Sequence, residues 1–267
     1  MNPTAAFSTD ERAVSETLGY ILVFSIIVTT IATATVFGFG GLEDRQDAEQ
    51  VANVERAFDV LADNFRDISR YEDPSRATEI RLAGGTIGVG QEVTITVGQW
   101  DGDAFVDGET ENVTFRPLVF QSDGGEVIYE SGVVFRGSRS GSIARSPLPF
   151  VVGDETAVVP VAATSVGSST TAVGGDRTAQ VVGERRPTTR TLANRTVEAD
   201  GNRLAIRVES PRADGWARQL ESEGYQNVDL NESTDTVTAD LSVEKDGDIR
   251  EPETVRLPVT NIQIRFD

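Results

Sequence analysis

An uncharged, mostly apolar stretch from Thr17 to Leu42 constrains this chain more than any other feature. It follows the short charged segment Asp10-Glu11-Arg12 and the four residues after it. At 1.5 Å per residue a helix of this length measures roughly 39 Å, enough to cross a bilayer core of about 30 Å. We therefore expect residues 13–42 to form a helix that lies in a membrane or in the core of a filament.

The next segment, residues 43–72, has the pattern of an amphipathic helix. Apolar side chains spaced three and four residues apart form one stripe, namely Val51, Val54, Phe58, Leu61, Phe65 and Ile68. A coiled coil usually needs more repeats than these, so we expect the stripe to pack on the protein's own β-domain. The helix should end before Pro74, because a proline disfavours the α conformation of the residue that precedes it.

Three interpretations of the apolar stretch are open: a cleaved secretory signal, a single-pass anchor, and a prepilin-type signal cut on the cytoplasmic side. A secretory signal has a basic first region and an apolar core of about 7–15 residues. This stretch is longer, and Arg12 is the only base that precedes it. In the other two interpretations the helix stays with the mature protein.

The junction between leader and apolar stretch runs Glu11-Arg12-Ala13-Val14-Ser15-Glu16-Thr17-Leu18-Gly19. This segment resembles the N-terminus of archaeal, in particular haloarchaeal, type IV pilins and pilin-like proteins. In that family a short charged leader precedes a motif similar to Ala-Val-Ser-Pro-Val-Ile-Gly and a long apolar helix. Ala13-Val14-Ser15 and Gly19 stand at matching places, whereas Glu16-Thr17 replaces the common Pro-Val. The resemblance is close over residues 10–42 and looser at 83–85 and 129–136.

The resemblance implies a cytoplasmic leader at residues 1–12, removed by a prepilin peptidase near Arg12 and Ala13. It implies as partners the membrane, that peptidase and other pilin-like subunits, which contact the N-terminal helix. A cut before Arg12 makes Glu16 the fifth mature residue, where bacterial pilins carry a glutamate. Glu16 would neutralise the α-amino group of a neighbouring subunit and set its axial register. The alternative is that Glu16 is solvated among the lipid headgroups.

The composition limits the classes of function. The chain has 43 acidic and 24 basic residues, a formal net charge of −19, and no His or Cys. Such an excess of acid repels nucleic acid, so we expect no nucleic-acid partner. It is typical of a protein that works in concentrated salt, which screens self-repulsion, and it favours a haloarchaeal source. Without His and Cys, Ser-His-Asp and Cys-His catalysis are excluded, and we expect a non-enzymatic protein without a cofactor.

The lengths of the two ends favour one orientation. A leader of twelve residues and a large acidic domain indicate a cytoplasmic N-terminus and an extracellular C-terminal domain, joined by a single pass through the cell membrane. Three Asn-x-Ser/Thr triplets are compatible with this orientation and are candidate N-glycosylation sites: Asn112, Asn194 and Asn231.

From Thr78 onward the apolar residues alternate with polar ones, as they do in β-strands. Strands are predicted at 78–82, 93–97, 112–120, 126–129, 132–135, 156–161, 178–182, 203–209, 236–243 and 254–266. The small, polar segment 166–175 predicts a long hairpin loop. One short helix interrupts the strands, with Ser210 as its N-cap, Pro211 in its first turn and Gly224 at its end. Its Trp216 and Leu220 should cover the sheet.

The carboxylates of Asp101, Asp103, Asp107 and Glu109 are close enough in sequence to suggest Ca²⁺ ligands. Val106 stands where the EF-hand loop has its glycine, so we expect no metal site there.

The predicted fold class is therefore α+β. A long N-terminal transmembrane and amphipathic helix precedes an antiparallel β-sandwich-like extracellular domain at residues 78–267, which contains one short inserted helix. The function implied is that of a pilin-like surface protein, membrane-anchored before assembly, serving as a minor or accessory subunit of a type IV pilus-like filament. The alternative is a single-pass anchored extracellular binding or cell-surface protein that does not polymerise.

Overall fold

The computed structural model describes the backbone of residues 10–138, 141–167, 169–186, 190–196 and 201–267. It describes the side chains of residues 16–35, 45–137, 141–167, 169–186 and 201–267. Over these ranges the fold is α+β: a long N-terminal helix and a domain made mostly of β-strands. The chain divides into two compact units, residues 1–48 and 49–267.

The described residues form two helices, α1 (Asp10–Tyr71) and α2 (Ala213–Ser222). The strands are β1 (Ser75–Arg81), β2 (Thr86–Val89), β3 (Val93–Trp100), β4 (Phe105–Phe115), β5 (Leu118–Ser122), β6 (Gly125–Glu130), β7 (Val133–Ser138), β8 (Gly141–Ala144), β9 (Val151–Val152), β10 (Thr156–Val158), β11 (Val161–Val166), β12 (Ala172–Gly174), β13 (Thr178–Arg185), β14 (Arg190–Thr196), β15 (Arg203–Glu209), β16 (Asp229–Asn231), β17 (Thr236–Asp240), β18 (Val243–Lys245), β19 (Asp248–Arg250) and β20 (Thr254–Phe266).

The described strands form three large sheets and one small hairpin sheet, β18-β19. A six-stranded sheet has the order β12-β2-β5-β6-β7-β8, and a five-stranded sheet has the order β16-β17-β15-β3-β4. A seven-stranded sheet is built around β20, which pairs with β10, β11, β13 and β14. Because β20 has 13 residues, its first half and its second half each pair with different strands.

The expectation of purely antiparallel strands is wrong at two pairs. Strands β10 and β11 both run parallel to β20. A parallel pair needs a long crossover connection, and about ninety residues, from 167 to 253, separate β11 from β20 along the chain. The seven-stranded sheet is therefore mixed, a property that the alternation of single strands does not reveal.

Prolines divide two of the predicted strands. The segment 112–120 becomes the end of β4 and the first three residues of β5, with Pro117 between them, and the segment 156–161 is interrupted at Pro160. A proline has no N–H group to donate to the ladder, which explains the interruptions. At the break between β4 and β5, the backbone of Arg116 bonds to β11 instead. Arg116 N donates to Thr164 O at 3.0 Å, and Thr164 Oγ1 donates to Arg116 O at 2.5 Å.

The predicted loop at 166–175 contains a strand. Residues 172–174 form β12, which pairs with β2 in the register Ala172↔Gly88 and Gly174↔Thr86. Gly88 allows this pairing, because a Cβ atom there would lie 2.7 Å from the Ala172 side chain. The loop prediction is wrong for these residues, whose small side chains suit an edge strand that lies close to its neighbour.

Helix α2 begins later than predicted and ends as predicted. Its N-cap is Arg212, not Ser210, because residues 210–213 form a separate turn closed by Ala213 N, which donates to Ser210 O at 2.9 Å. In that turn the Ser210 hydroxyl accepts from Arg212 N at 3.0 Å. At the other end, Gly224 has φ +85° and its N–H donates to Glu221 O at 3.1 Å. Tyr225 N donates to Leu220 O at 3.1 Å, which completes a Schellman motif.

Two hydrophobic clusters fill the second unit. The helix cluster contains the apolar stripe of α1 together with residues of β1, β2, β5, β6, β7, β13 and β20. The sheet cluster contains residues of the five-stranded sheet, α2 and the first half of β20. In β6, Val127 and Tyr129 belong to the helix cluster and Ile128 belongs to the sheet cluster. The six-stranded sheet therefore separates the two clusters, since successive side chains of a strand lie on opposite faces.

Replacing Phe58 with Ala should lower the free energy of unfolding by about 3–5 kcal/mol, because the Phe58 side chain is fully buried in the helix cluster and its removal leaves a cavity. The measurement is urea unfolding of the full chain in detergent and salt, followed by the fluorescence of the buried Trp216. The matched control is Val60→Ala on the same helix, where the side chain is 54% exposed and the change should stay within about 0.5 kcal/mol. Equal effects of the two changes would contradict the burial of the stripe.

Candidate anchoring and assembly surface

The first part of α1 presents an apolar surface that the protein does not cover. The segment Glu16–Thr35 is 20 residues long, 0% buried, and apolar enough to cross a bilayer. Its large apolar side chains are 47–74% exposed, for example Leu18 at 60% and Phe24 at 58%. A membrane anchor and an export signal both have such a helix at the N-terminus.

Three hydroxyl groups of this segment are bonded within the helix. Ser25 Oγ donates to Ile21 O and Thr29 Oγ1 to Ser25 O, both at 2.7 Å, and Thr30 Oγ1 donates to Ile26 O at 2.8 Å. These side chains, with Thr33 and Ala34, line a shallow groove of about 650 Å³ along the helix. Because the helix itself satisfies these three hydroxyls, they can enter an apolar environment at a low cost.

The residues predicted at the leader junction are only partly described. Glu16 is exposed and lies at the start of the apolar segment. Arg12 and Ala13 lie within α1, but their side chains are outside the described residues.

The second part of α1 is held by packing and by ion pairs. Its six stripe residues are at most 1% exposed, and the Phe65 ring meets the Tyr129 ring edge-on at 5.2 Å between centroids. Glu55 accepts from Arg145 Nε at 2.5 Å and lies 3.5 Å from Arg136 Nη1. Burial raises the pKa of the nearby Asp59, the carboxylates of Glu55 and Asp63 raise it further, and Arg145 opposes them.

The β-domain contains a buried carboxylate that sequence reasoning missed. Glu130, at the end of β6, is fully buried and accepts from Ser210 Oγ at 2.9 Å and from Trp216 Nε1 at 2.8 Å. Arg212 Nε donates to the same carboxylate at 2.7 Å. The hairpin of Ser131 and Gly132, both with positive φ as in a type I′ turn, places Glu130 at this point. The network ties β6 to the start of α2.

A second polar contact joins α2 to β8. Asp214 accepts from Ser142 Oγ at 2.7 Å and from Ser142 N at 3.0 Å, and Arg218 Nη2 donates to it at 2.7 Å. Burial alone would raise the pKa of Asp214, but the bonds from Ser142 and Arg218 together lower it below its ordinary value. A Cβ atom at position 215 would lie 2.5 Å from Ser142 Oγ, so α2 can lie this close to β8 only with glycine there.

The outer face of the five-stranded sheet carries a polar groove of about 880 Å³. Arg207 lies in it with its guanidinium 5.1 Å from the Trp100 ring and 5.0 Å from the Phe105 ring, and its Nε donates to Thr238 Oγ1 at 3.1 Å. Asn231 also lines the groove. The aromatic contacts fix the guanidinium in place.

A sequence model described as "Family of unknown function (DUF7289)" matches residues 12–265 of the chain. The chain belongs to this family. The matched range contains the apolar segment of α1 as well as almost all of the β-domain. No solved structure gives a significant match to this DUF7289 protein.

One relative of this DUF7289 protein is an uncharacterized protein of Archaeoglobus fulgidus, 34% identical over 76 residues. The aligned region covers 28% of this chain and 25% of the relative. The chain thus spans about a quarter of the length of the curated protein it matches.

The structure places the three candidate glycosylation sites of the DUF7289 chain differently. Asn112 is exposed in the middle of β4, where it pairs with Thr96. Asn231 is exposed at the end of β16, before a turn. Asn194 lies in β14, but its side chain is outside the described residues.

The acidic segment near Asp101 is a local turn. Asp101 Oδ1 accepts from Asp103 N at 2.9 Å and from Ala104 N at 2.8 Å, and these bonds to the charged form lower the pKa of Asp101. Among the residues that the structure describes, no group of three or more His, Cys, Asp or Glu side chains is placed to hold a metal ion.

Replacing Glu130 with Ala should lower the free energy of unfolding by about 3–5 kcal/mol, because it leaves Arg212 in a largely buried position without its counter-ion. Arg212 Nη2 already has no hydrogen-bond partner in the described part of the chain. Urea unfolding of the full chain measures the loss. Glu221→Ala, at an exposed position of α2, is the control. If both variants lost the same free energy of unfolding, the bonds of Glu130 would add no stability of their own.

Replacing Asp214 with Asn should produce a pH-dependent loss of stability. Since the pKa of Asp214 is lower in the folded protein, its contribution is fully present above the ordinary value of 3.8 and is lost as the pH falls from there through the folded pKa. After allowance for solvent screening, we expect a difference of about 1 kcal/mol at pH 7. Unfolding measured from pH 7 down to about pH 2 tests this. Asp123→Asn, at an exposed turn, should show no such trend.

Proposed function

We propose that this protein is a pilin-like surface subunit without catalytic activity, anchored in the membrane by α1 and then packed through the same helix against other subunits. One observation carries the proposal: burial changes along a single helix. The segment Glu16–Thr35 is uncovered and apolar, whereas the stripe from Val51 to Ile68 is buried in the helix cluster. An apolar surface of this size needs lipid or other helices around it.

The sequence and the family match support retention of the helix. The segment Ala13-Val14-Ser15 with Gly19 resembles the start of archaeal pilins. The DUF7289 match includes the apolar segment and the β-domain together. The helix of an export signal that is discarded does not need to continue into the core of the domain. In this chain the same helix does continue, since the stripe of α1 is part of the helix cluster.

The assembly step that we propose exchanges lipid for helices. Lipid tails are as apolar as leucine side chains, so the hydrophobic effect gives little driving force, and close packing of small residues drives association instead. Ser25, Thr29 and Thr33 follow one another at four-residue intervals and line the groove of α1. Their face lets a neighbouring helix approach closely, with the larger apolar side chains packed around the contact.

Glu16 supplies the register in this proposal. A carboxylate at the edge of an apolar segment is costly unless it is paired. The α-amino group that a prepilin peptidase releases near Arg12 and Ala13 is mostly cationic at neutral pH. Pairing of Glu16 with the α-amino group of a neighbouring subunit fixes the axial offset between the two helices.

The β-domain forms the outer shell in this proposal, outside the cell. The net charge of −19 keeps the domains soluble, and in molar salt the Debye length of about 3 Å reduces the repulsion between them. A haloarchaeal source, which the composition favours, provides such salt. Nucleic acid is not a partner in this arrangement, because like charges repel.

A second candidate is a single-pass anchored surface protein that does not polymerise. The observation that favours it is the presence of Glu16-Thr17 where archaeal pilins commonly have Pro-Val. Both candidates keep the helix, so processing and polymerisation distinguish them.

The mature N-terminus tests the proposal. Sequencing and intact mass of the protein extracted from the membrane of a haloarchaeal host should show that the chain begins at Arg12 or Ala13. An intact Met1 would favour the anchor that does not polymerise. A soluble product that begins after Leu42 would show that the helix is an export signal, and the proposal would fail.

Replacing Glu16 with Gln should leave processing unchanged and should reduce the amount of protein in sheared surface filaments several-fold, because the neutral side chain cannot pair with the α-amino group. Quantitative blotting of sheared and membrane fractions measures the ratio. Glu49→Gln, at an exposed position farther along α1, is the matched control and should assemble like the wild type. Equal ratios for the two variants would rule out the register role.

A further inference from the structure

We infer that Asn231 is a glycosylated residue of the β-domain and accepts a saccharide from a lipid-linked sugar phosphate. The inference rests on the proposed function in one respect, the location of the β-domain outside the cell. The triplet Asn231-Glu232-Ser233 has the acceptor pattern, but two other triplets have it too. The structure distinguishes Asn231 from Asn112, whereas the side chain of Asn194 is outside the described residues.

The Asn231 triplet lies in an exposed turn between β16 and β17. All residues from 231 to 235 are exposed, and Asp235 has φ +51°. In this turn Asn231 Oδ1 accepts from Ser233 N at 3.1 Å and from Ser233 Oγ at 2.6 Å. The hydroxyl that the triplet requires is therefore already bonded to the acceptor amide.

This hydrogen bonding assists the chemistry of transfer. In that reaction a bond forms between Asn231 Nδ2 and C1 of the sugar, and the bond from C1 to the lipid phosphate oxygen breaks. The phosphate leaves with the electron pair, and one Nδ2 proton passes to a base of the transferase. Two donors on Oδ1 stabilise the negative charge that develops on the amide as this proton leaves. Nδ2 makes no hydrogen bond to any described residue, so it is free to react.

Asn112 has the same sequence pattern and a different geometry. It lies within β4, and its backbone pairs with β3 in the register Thr96↔Asn112. Residues two apart in a strand are separated by about 6.8 Å, and in the described part of the chain no hydrogen bond joins the Thr114 hydroxyl to the Asn112 amide. Thr114 Oγ1 instead lies 3.0 Å from Thr94 Oγ1. In the folded domain residues 112–114 are held in strand β4, whereas residues 231–233 form a turn.

The test uses the full chain extracted from the membrane of a haloarchaeal host. Glycopeptide mass spectrometry should find a saccharide on Asn231 and none on Asn112. Asn231→Gln and Ser233→Ala should each remove the whole mass increment from this peptide. Glu232→Gln changes the middle position and is the matched control, so it should retain the increment. An unmodified Asn231, or a saccharide on Asn112 with none on Asn231, would overturn the inference.

A protease added to intact cells separates this inference from the proposed function. Digestion of the β-domain from outside, together with an unmodified Asn231, overturns the glycosylation alone. A glycosylated Asn231 in a protein that forms no filaments supports the glycosylation and overturns the assembly. A β-domain that is protected from the protease overturns both.

Discussion

The burial of the second part of α1 in the β-domain is the constraint on which the rest of the structure depends. The stripe from Val51 to Ile68 is not a linker, because its side chains complete a cluster to which seven strands contribute. The Glu55 ion pairs with Arg145 and Arg136 fix the same helix at its polar side. Since one helix carries both this stripe and the apolar segment Glu16–Thr35, whatever surrounds the apolar segment is joined to the domain core through continuous helical backbone.

The parts of the fold that the sequence predicts are those with a local periodic signal. The three-four spacing from Val51 to Ile68 predicts a helix face, and the structure buries those residues. The alternation at 203–209 and 254–266 predicts β15 and β20 to the residue. The end of α1 before Pro74 and the end of α2 at Gly224 follow from the chemistry of single residues. In each case the information lies within a few positions of the feature.

The parts that the sequence does not predict depend on distant partners. Glu130 resembles an ordinary strand carboxylate, because Ser210 and Trp216, which bury and bond it, lie 80 and 86 residues away. The parallel pairing of β11 with β20 is likewise a property of the topology. For the candidate sites, the triplet pattern selects Asn112 and Asn231 equally, and only the turn geometry separates them.

The position of β20 has a consequence for folding. Strand β20, with 13 residues, lies at the centre of the seven-stranded sheet and pairs with β10, β11, β13 and β14. These partners precede β20 along the chain, and none of their pairs with it can form before β20 is present. Contacts between distant segments form slowly, so this sheet is expected to form later than the ladder of β5 to β8, whose strands are neighbours in sequence. One strand thus joins four others into a single sheet.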